Sequence, residues 1–252
     1  MTHRRIAQKV LMVLTAAALV VSLAWLVYYI KQYRDADKAF DALAQIAFGD
    51  EFNTQGTGDG SAGSGAKSTV NYAALIALNG DYAAWLRVDG TAISYPVVQS
   101  REPEYYLHRD YYGNYSFPGT IFMDSVNSKT FSDTNTMLYG HNMRDGSMFA
   151  PLKKFLGTDF FNANRYIYID TPDKMLVYEI FAVYETTASR VPNDTGILTQ
   201  EQFDAFAGRI ASLAEQSIPV SLTPQDKILT LSTCGYHEKD ARIVVHAKLI
   251  SN

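Results

Sequence analysis

The chain contains one cysteine, Cys234, which ends the apolar run Ile228-Leu229-Thr230-Leu231-Ser232-Thr233 and is followed by Gly235. A thiol at a strand end beside a glycine sits at a rim where a loop can open onto a substrate. To act as a nucleophile it needs a lowered pKa or a neighbouring base, and a donor for the oxyanion that forms on the attacked carbonyl. The competing reading is a small buried hydrophobe. The base could come from one of five histidines. His141 closes Thr136-Met137-Leu138-Tyr139-Gly140-His141, a second strand end punctuated by glycine, although a lone histidine there can equally be structural. His246 lies inside the apolar run Val244-Val245-His246-Ala247 and reads as an ordinary core histidine. His108 follows Tyr105-Tyr106-Leu107 in a tyrosine-rich loop, as a surface residue or a rim contact. His237 is near the thiol in sequence, and His3 precedes a long apolar run. Arg242 opens the last apolar run. Two consecutive strands joined by a short loop pair antiparallel, so the start of the last strand faces the end of the cysteine strand. A guanidinium there can stabilise a thiolate or an oxyanion. The alternative for Arg242 is a surface ion pair with Asp240 or Glu238.

These side chains need strands to hold them. Short apolar runs broken by Asp-Gly, Pro or Asn predict strands over residues 85–88, 94–98, 120–124, 137–141, 166–170, 174–184, 227–233 and 242–249. The runs on either side of Thr171-Pro172-Asp173 form a predicted hairpin. Residues 70–78 suit a short helix. Residues 199–216 form the clearest helix: Phe203, Phe206, Ala207, Ile210, Leu213 and Ala214 share a face, and Thr199 with Gln202 makes a capping-box signature. Seven or eight strands with one amphipathic helix predict a mainly β fold with helices, a closed barrel or a sandwich.

Residues 10–30 carry no charge and end in Tyr28, Tyr29 and Ile30, with Trp25 close by. A helix of that length rises about 30 Å, enough to cross a hydrocarbon core. A cleaved signal peptide would have a shorter apolar region and a small-residue cleavage site, so the run reads as an uncleaved transmembrane signal-anchor. Basic residues flank it evenly (Arg4, Arg5 and Lys9 before, Lys31, Arg34 and Lys38 after). The short acid-free N-terminus, residues 1–9, favours a cytoplasmic start and a bulk domain outside. Residues 31–69 read as a juxtamembrane helical stretch followed by a Gly/Ser/Thr-rich flexible linker, and residues 70–252 as the folded domain. Net charge is -4, from 22 basic and 26 acidic residues. With three of the basic groups placed before the apolar run, no basic stripe remains for nucleic acid. One cysteine excludes an intrachain disulfide and a multi-cysteine metal site. His108, His141 and His237 lack short ligand spacing, so neither a metal nor another cofactor is expected.

Leu138-Tyr139-Gly140-His141-Asn142, Thr230-Leu231-Ser232-Thr233-Cys234 and Arg242 within Asp240-Ala241-Arg242-Ile243-Val244 together resemble the sortases, the membrane-anchored cysteine transpeptidases of Gram-positive bacteria. The predicted helix over 199–216 is similar to the long helix that class B sortases carry between strands six and seven. The resemblance implies a closed eight-stranded barrel with an N-terminal helix. It assigns His141, Cys234 and Arg242 as catalytic and places Tyr139, Ser232 and Thr233 in substrate binding. It also implies partners: secreted proteins bearing a C-terminal sorting signal, and an amino acceptor from a peptidoglycan precursor or a pilin lysine. A papain-like hydrolase would place its histidine downstream of the cysteine, and a caspase-type site would space the pair by about 50 residues rather than the roughly ninety here. A thiol peptidase that mainly hydrolyses, or a non-catalytic membrane-tethered binding module, are the remaining alternatives.

Overall fold

The computed structural model describes residues 2–49, 70–196, 199–234 and 240–251. The predicted linker, apart from its first residues, lies outside these, as do the thiol of Cys234, residues 235–239 with His237 and Glu238, and the ring of His3. The chain forms two compact units, Met1–Phe40 and Asp41–Asn252.

The first unit is helical, the larger part of helix α1 (Thr2–Phe48). Its apolar stretch has a mean hydropathy of 2.6 and is long and apolar enough, by length and composition, to cross a membrane. The few hydroxyls in it bond to their own helix: Thr15 Oγ1 donates to the Met12 carbonyl at 3.0 Å and Ser22 Oγ to that of Ala18 at 2.9 Å. No polar group of these side chains is left needing water.

The second unit takes in the last turns of α1. Leu43, Ala44, Ala47 and Phe48 are buried, and the Phe48 ring meets Trp85 edge-on at 5.2 Å. The Asn71 amide donates to the Ala47 carbonyl at 2.8 Å, and the Asn71 side chain caps α2 (Tyr72–Leu78). Residue 70, where composition places the start of the folded part, is thus preceded in the same unit by four buried apolar side chains.

The body of this unit is a barrel. In chain order its strands are β1 (Tyr82–Val88), β2 (Ser94–Val98), β3 (Ile121–Met123), β4 (Asn135–Gly140), β5 (Tyr166–Asp170), β6 (Met175–Thr187), a two-residue β7 (Gln216–Ser217), β8 (Ile228–Cys234) and β9 (Ala241–Ser251). The sheet runs β5-β1-β2-β3-β4-β8-β9-β6, and β6 pairs back onto β5, which closes eight strands; β7 lies on the outer flank of β6. Pairing is antiparallel except for β2 with β3 and β4 with β8. Side chains alternate between interior and exterior. Leu138, Leu231 and Val245 are in register across β4, β8 and β9, and each is fully buried.

Helix α3 (Thr158–Ala163) follows a short 3-10 segment, and α4 (Gln200–Leu213) lies between the sixth and seventh strands of the closed barrel, as expected from the sequence. The capping box of Thr199 and Gln202 is formed in both directions. Phe203, Phe206 and Ile210 bury against Phe181, Tyr184, Ile228 and Val244 on the outer faces of β6, β8 and β9. The helix ends at Leu213 rather than at 216 because the next backbone groups join β6 instead: Glu215 N donates to Val183 O at 2.9 Å and Ile218 N to Phe181 O at 3.1 Å.

Under α4, His246 is fully buried, with Nε2 2.8 Å from Tyr184 Oη and Nδ1 2.8 Å from Thr230 Oγ1. Thr230 also reaches Asn135 Oδ1 at 2.7 Å, and Asn135 Nδ2 donates to the Asp194 carbonyl at 3.0 Å. Because Asn135 Oδ1 can only accept, the Thr230 proton goes to it. Nδ1–H of His246 therefore donates to Thr230, and Tyr184 donates to Nε2. The histidine read as a core residue is one, and it is neutral; burial lowers its pKa to about 3. In the unfolded chain the ordinary value of about 6.5 applies. Above about pH 6.5 neither state is charged, and between there and about pH 3 only the unfolded chain takes up the proton. Stability therefore falls with acidification, by a slope approaching 1.4 kcal/mol per pH unit. We expect His246→Gln to flatten the fall measured by urea unfolding between about pH 6 and 4 by up to that amount. Equal slopes in both proteins would show that another group carries the effect.

Candidate functional site

Two pairings build the site. Gly140 of β4 is in register with Thr233 of the parallel strand β8, so both strands end at one rim and His141 lies one residue beyond the paired segment. Cys234 is in register with Arg242 of β9. Period-two alternation then puts Tyr139 and His141, Ser232 and Cys234, and Arg242 on one face of three adjacent strands. Residues nearly a hundred positions apart become neighbours through these two ladders.

Gly140 is needed for its lack of a side chain. A Cβ there would fall 2.4 Å from Ile121 Cδ1 and 3.0 Å from the Phe149 ring, so any other residue would force β4 off the core at the residue that precedes His141. Gly119 holds the opposite wall. It has φ of +63°, and a Cβ would come within 2.3 Å of the Leu107 carbonyl oxygen. Its absence lets the 3-10 turn Tyr105–His108 approach the rim.

That turn meets His141. Nε2 of His141 lies 2.8 Å from the Leu107 carbonyl oxygen, which can only accept, so Nε2 carries the proton. Nδ1 has no hydrogen-bond partner among the described residues. Burial lowers the affinity of this ring for a second proton below the ordinary imidazole value; the Leu107 carbonyl opposes the shift, and His108 and Arg242 add to it. The imidazole is therefore neutral at neutral pH. Tyr139 donates to Asp124 Oδ2 at 3.0 Å and packs on Phe122 at 5.4 Å. Burial, with Asp124 beside it, raises its phenol pKa, so it remains a neutral donor. Arg242 donates from Nη1 to the Ala241 carbonyl at 3.1 Å and forms no ion pair with Asp240 or any other carboxylate among the described residues. The surface-ion-pair alternative with Asp240 is thereby lost. Its guanidinium bears electrostatically on both His141 and Tyr139.

A cavity of about 250 Å³ opens along this face, bordered by Glu104, Leu107, Tyr139, Ser232, Thr233 and Arg242. Ser232 is 3% exposed and Thr233 1%; both border the cavity, while alternation turns the Thr233 side chain to the opposite face, where its Oγ1 is buried with no partner among the described residues. Glu104 has φ of 61°, an uncommon left-handed conformation for a residue with a side chain, and it immediately precedes the turn that carries Leu107. The sequence pointed to His141, Arg242, Tyr139, Ser232 and Thr233, and the structure brings all five to this rim with the backbone of Cys234. It did not point to Leu107, Glu104 or Asp124. A backbone carbonyl leaves no mark in residue type, and the only cue was the tyrosine-rich loop around His108.

The match to known proteins agrees with this geometry. The family described as "Sortase domain" matches residues 86–250, more than half of the chain. The chain belongs to the sortase family. Sortase B of Listeria monocytogenes is 38% identical over 180 residues, 70% of this chain and 73% of that protein. Sortase B of Bacillus anthracis, solved in complex with AAEK1, superposes with a TM-score of 0.74 at 32% identity, covering 88% of this chain and all of that one. A Staphylococcus aureus sortase B–substrate complex superposes at 0.67 with 31% identity, covering 71% of this chain and 84% of that one. This sortase is a class B cysteine transpeptidase with the closed eight-stranded barrel of its relatives.

In this sortase Gly140→Ala should cost about 1–3 kcal/mol of stability through overpacking. Ile121→Val, which removes the Cδ1 atom that the new methyl would strike, should recover part of that loss. Thermal or urea unfolding of the single and double variants measures this. A Gly140→Ala variant as stable as wild type would mean the strand can yield without cost.

Proposed function

We propose that Cys234, His141 and Arg242 carry the transpeptidase reaction on a C-terminal sorting signal, with the carbonyl of a threonine residue as the point of attack. The observation that supports this is the double register that aligns Gly140 with Thr233 and Cys234 with Arg242. The thiol gives its proton to the neutral imidazole, and the thiolate sulfur bonds to the threonine carbonyl carbon. The tetrahedral oxyanion is held by the Arg242 guanidinium, which no carboxylate among the described residues competes for. Collapse breaks the amide C–N bond, and the imidazolium passes its proton to the leaving amine. A thioester remains on Cys234. An incoming amine then attacks it, His141 accepts the amine's proton, and the thiolate leaves. Tyr139, Ser232 and Thr233, which border the cavity, would contact the substrate there.

The acceptor under this reading is an amino group of the cell-wall peptide or a pilin lysine. The apolar part of α1 would anchor the chain in the cell membrane by a single pass, N-terminus inside, with the catalytic unit on the outer side. The experiment is to incubate the full chain in detergent with peptides bearing candidate sorting motifs, with and without an amine acceptor, and to follow the enzyme and products by mass spectrometry. A peptide-sized adduct on Cys234, absent in Cys234→Ala, and an amine-joined product are expected. An adduct resolved only by water would make the enzyme a hydrolase, and turnover by Cys234→Ala would end the thiol mechanism. Arg242→Lys keeps the charge but loses the planar fork; kcat/KM should fall by roughly 10²–10³ with Tm nearly unchanged. A fall of only a few-fold would remove Arg242 from the chemistry.

A further inference from the structure

The side chain that follows Leu107 in the same turn also touches the site. The His108 ring packs against that of His141, tilted by 32° with centroids 5.1 Å apart. His108 is exposed while His141 is half-buried. One short 3-10 turn therefore meets the His141 ring at two places, at Nε2 through the Leu107 carbonyl and through the His108 ring. We propose that His108 is a positioning residue for the His141 imidazole, bracing the ring from one side while the Leu107 carbonyl fixes Nε2, and that its charge bears on whether that imidazole takes a second proton. This rests on the role given to His141 above.

This arrangement leaves Nδ1 as the nitrogen available for proton exchange, since Nε2–H is committed to Leu107. It also couples two titrations. A ring packed at this distance cannot become a cation beside another cation without a penalty. His141 is the more buried ring, and a positive charge on the exposed His108 ring would oppose a second proton on it. The charged groups that bear on His141 are His108 from the turn and Arg242 from β9. Arg109, next to His108, is occupied elsewhere: its guanidinium donates to the Gly113 carbonyl at 2.9 Å and lies 4.6 Å over the Tyr105 ring. From β4 itself, Tyr139 is bonded to Asp124. His108 is thus the one titratable neighbour among the described residues in ring contact with His141. A charge there, added to the effect of burial, works against a second proton on the base and so favours the neutral imidazole that can accept from the thiol.

The test uses the full chain in detergent with isotope-labelled histidine, the His141 signal being assigned by its loss in His141→Gln. Its titration is read by NMR without substrate, in wild type, His108→Phe and His108→Asn. Phenylalanine keeps a ring and removes the charge; asparagine removes both. The His141 midpoint should rise by about 0.5–1 pH unit in both variants. With a sorting-motif peptide, kcat should fall on the order of 10-fold in His108→Asn and less in His108→Phe, with KM and Tm unchanged, and the acid limb of the pH profile should move up with the midpoint. An unmoved His141 midpoint in both variants would overturn the proposal. So would equal losses of kcat that track a fall in Tm. Because the titration needs no turnover, a wild type that cleaves no sorting peptide would refute the transpeptidase role of His141 and leave the ring coupling to be judged by NMR.

Discussion

The parallel pairing of β4 with β8 is the constraint on which the site depends. Parallel neighbours cannot be joined by a tight turn and need a long crossover. Here the chain between them spells out β5, β6, α4 and β7 before it returns. The return sets the strand that ends in Cys234 against the strand that ends before His141, both pointing to one rim. The antiparallel return of β9 then adds Arg242 on the other flank of the cysteine. Every distance at the rim follows from these two ladders and from the two glycines that let the neighbouring walls close in.

The same outward face continues below the site. Met137, Thr230 and His246 are in register across β4, β8 and β9, two residues behind Tyr139, Ser232 and Val244. At this level the face is covered by α4 and becomes a polar cluster in a dry setting. Tyr184, His246, Thr230 and Asn135 satisfy each other in one direction of proton donation, and Asn135 passes the chain to the carbonyl of Asp194. Thr134 N meanwhile donates to Gly196 O. The connection from β6 to α4 starts beside Arg242, where Thr186 is in register with it, and is stitched at its far end to the start of β4. Buried networks of this kind act through complete satisfaction, since a half-satisfied one would cost more than an apolar core.

Local signals were the ones legible in the sequence. Strands at 94–98 and 166–170 were bounded as found, because Pro, Asn and Asp-Gly punctuate them and one face of each is apolar. The helix after Thr199 announced itself by its cap and by its aromatic face. The places of His141, Cys234 and Arg242 at strand ends were legible from glycine punctuation and the hairpin rule for β8 and β9, while the roles assigned to them came only from the resemblance of three motifs to the sortases. What could not be read was non-local. Nothing in the period of residues 135–140 or 228–234 says that they pair parallel. The burial of Leu43 and Phe48 depends on a barrel surface provided by Trp85 and its neighbours. The Leu107 carbonyl is a backbone atom, placed by the absence of a Cβ at Gly119.

Barrel closure has a temporal side. Without β8 and β9 the remaining strands still form a continuous sheet, β6-β5-β1-β2-β3-β4, whose two open edges are β6 and β4. The last hairpin fills the gap between them. For a chain made from its N-terminus, that hairpin emerges after the strands it joins, and β8 must find an edge laid down long before. Such late, long-range strand insertion is slow, and open edges are vulnerable while it is pending. It also means that the ends of β4, β8 and β9 meet at one rim only once this hairpin has docked. Assembly of the rim and completion of the sheet are one event, so an unfinished chain has the strands but not the site.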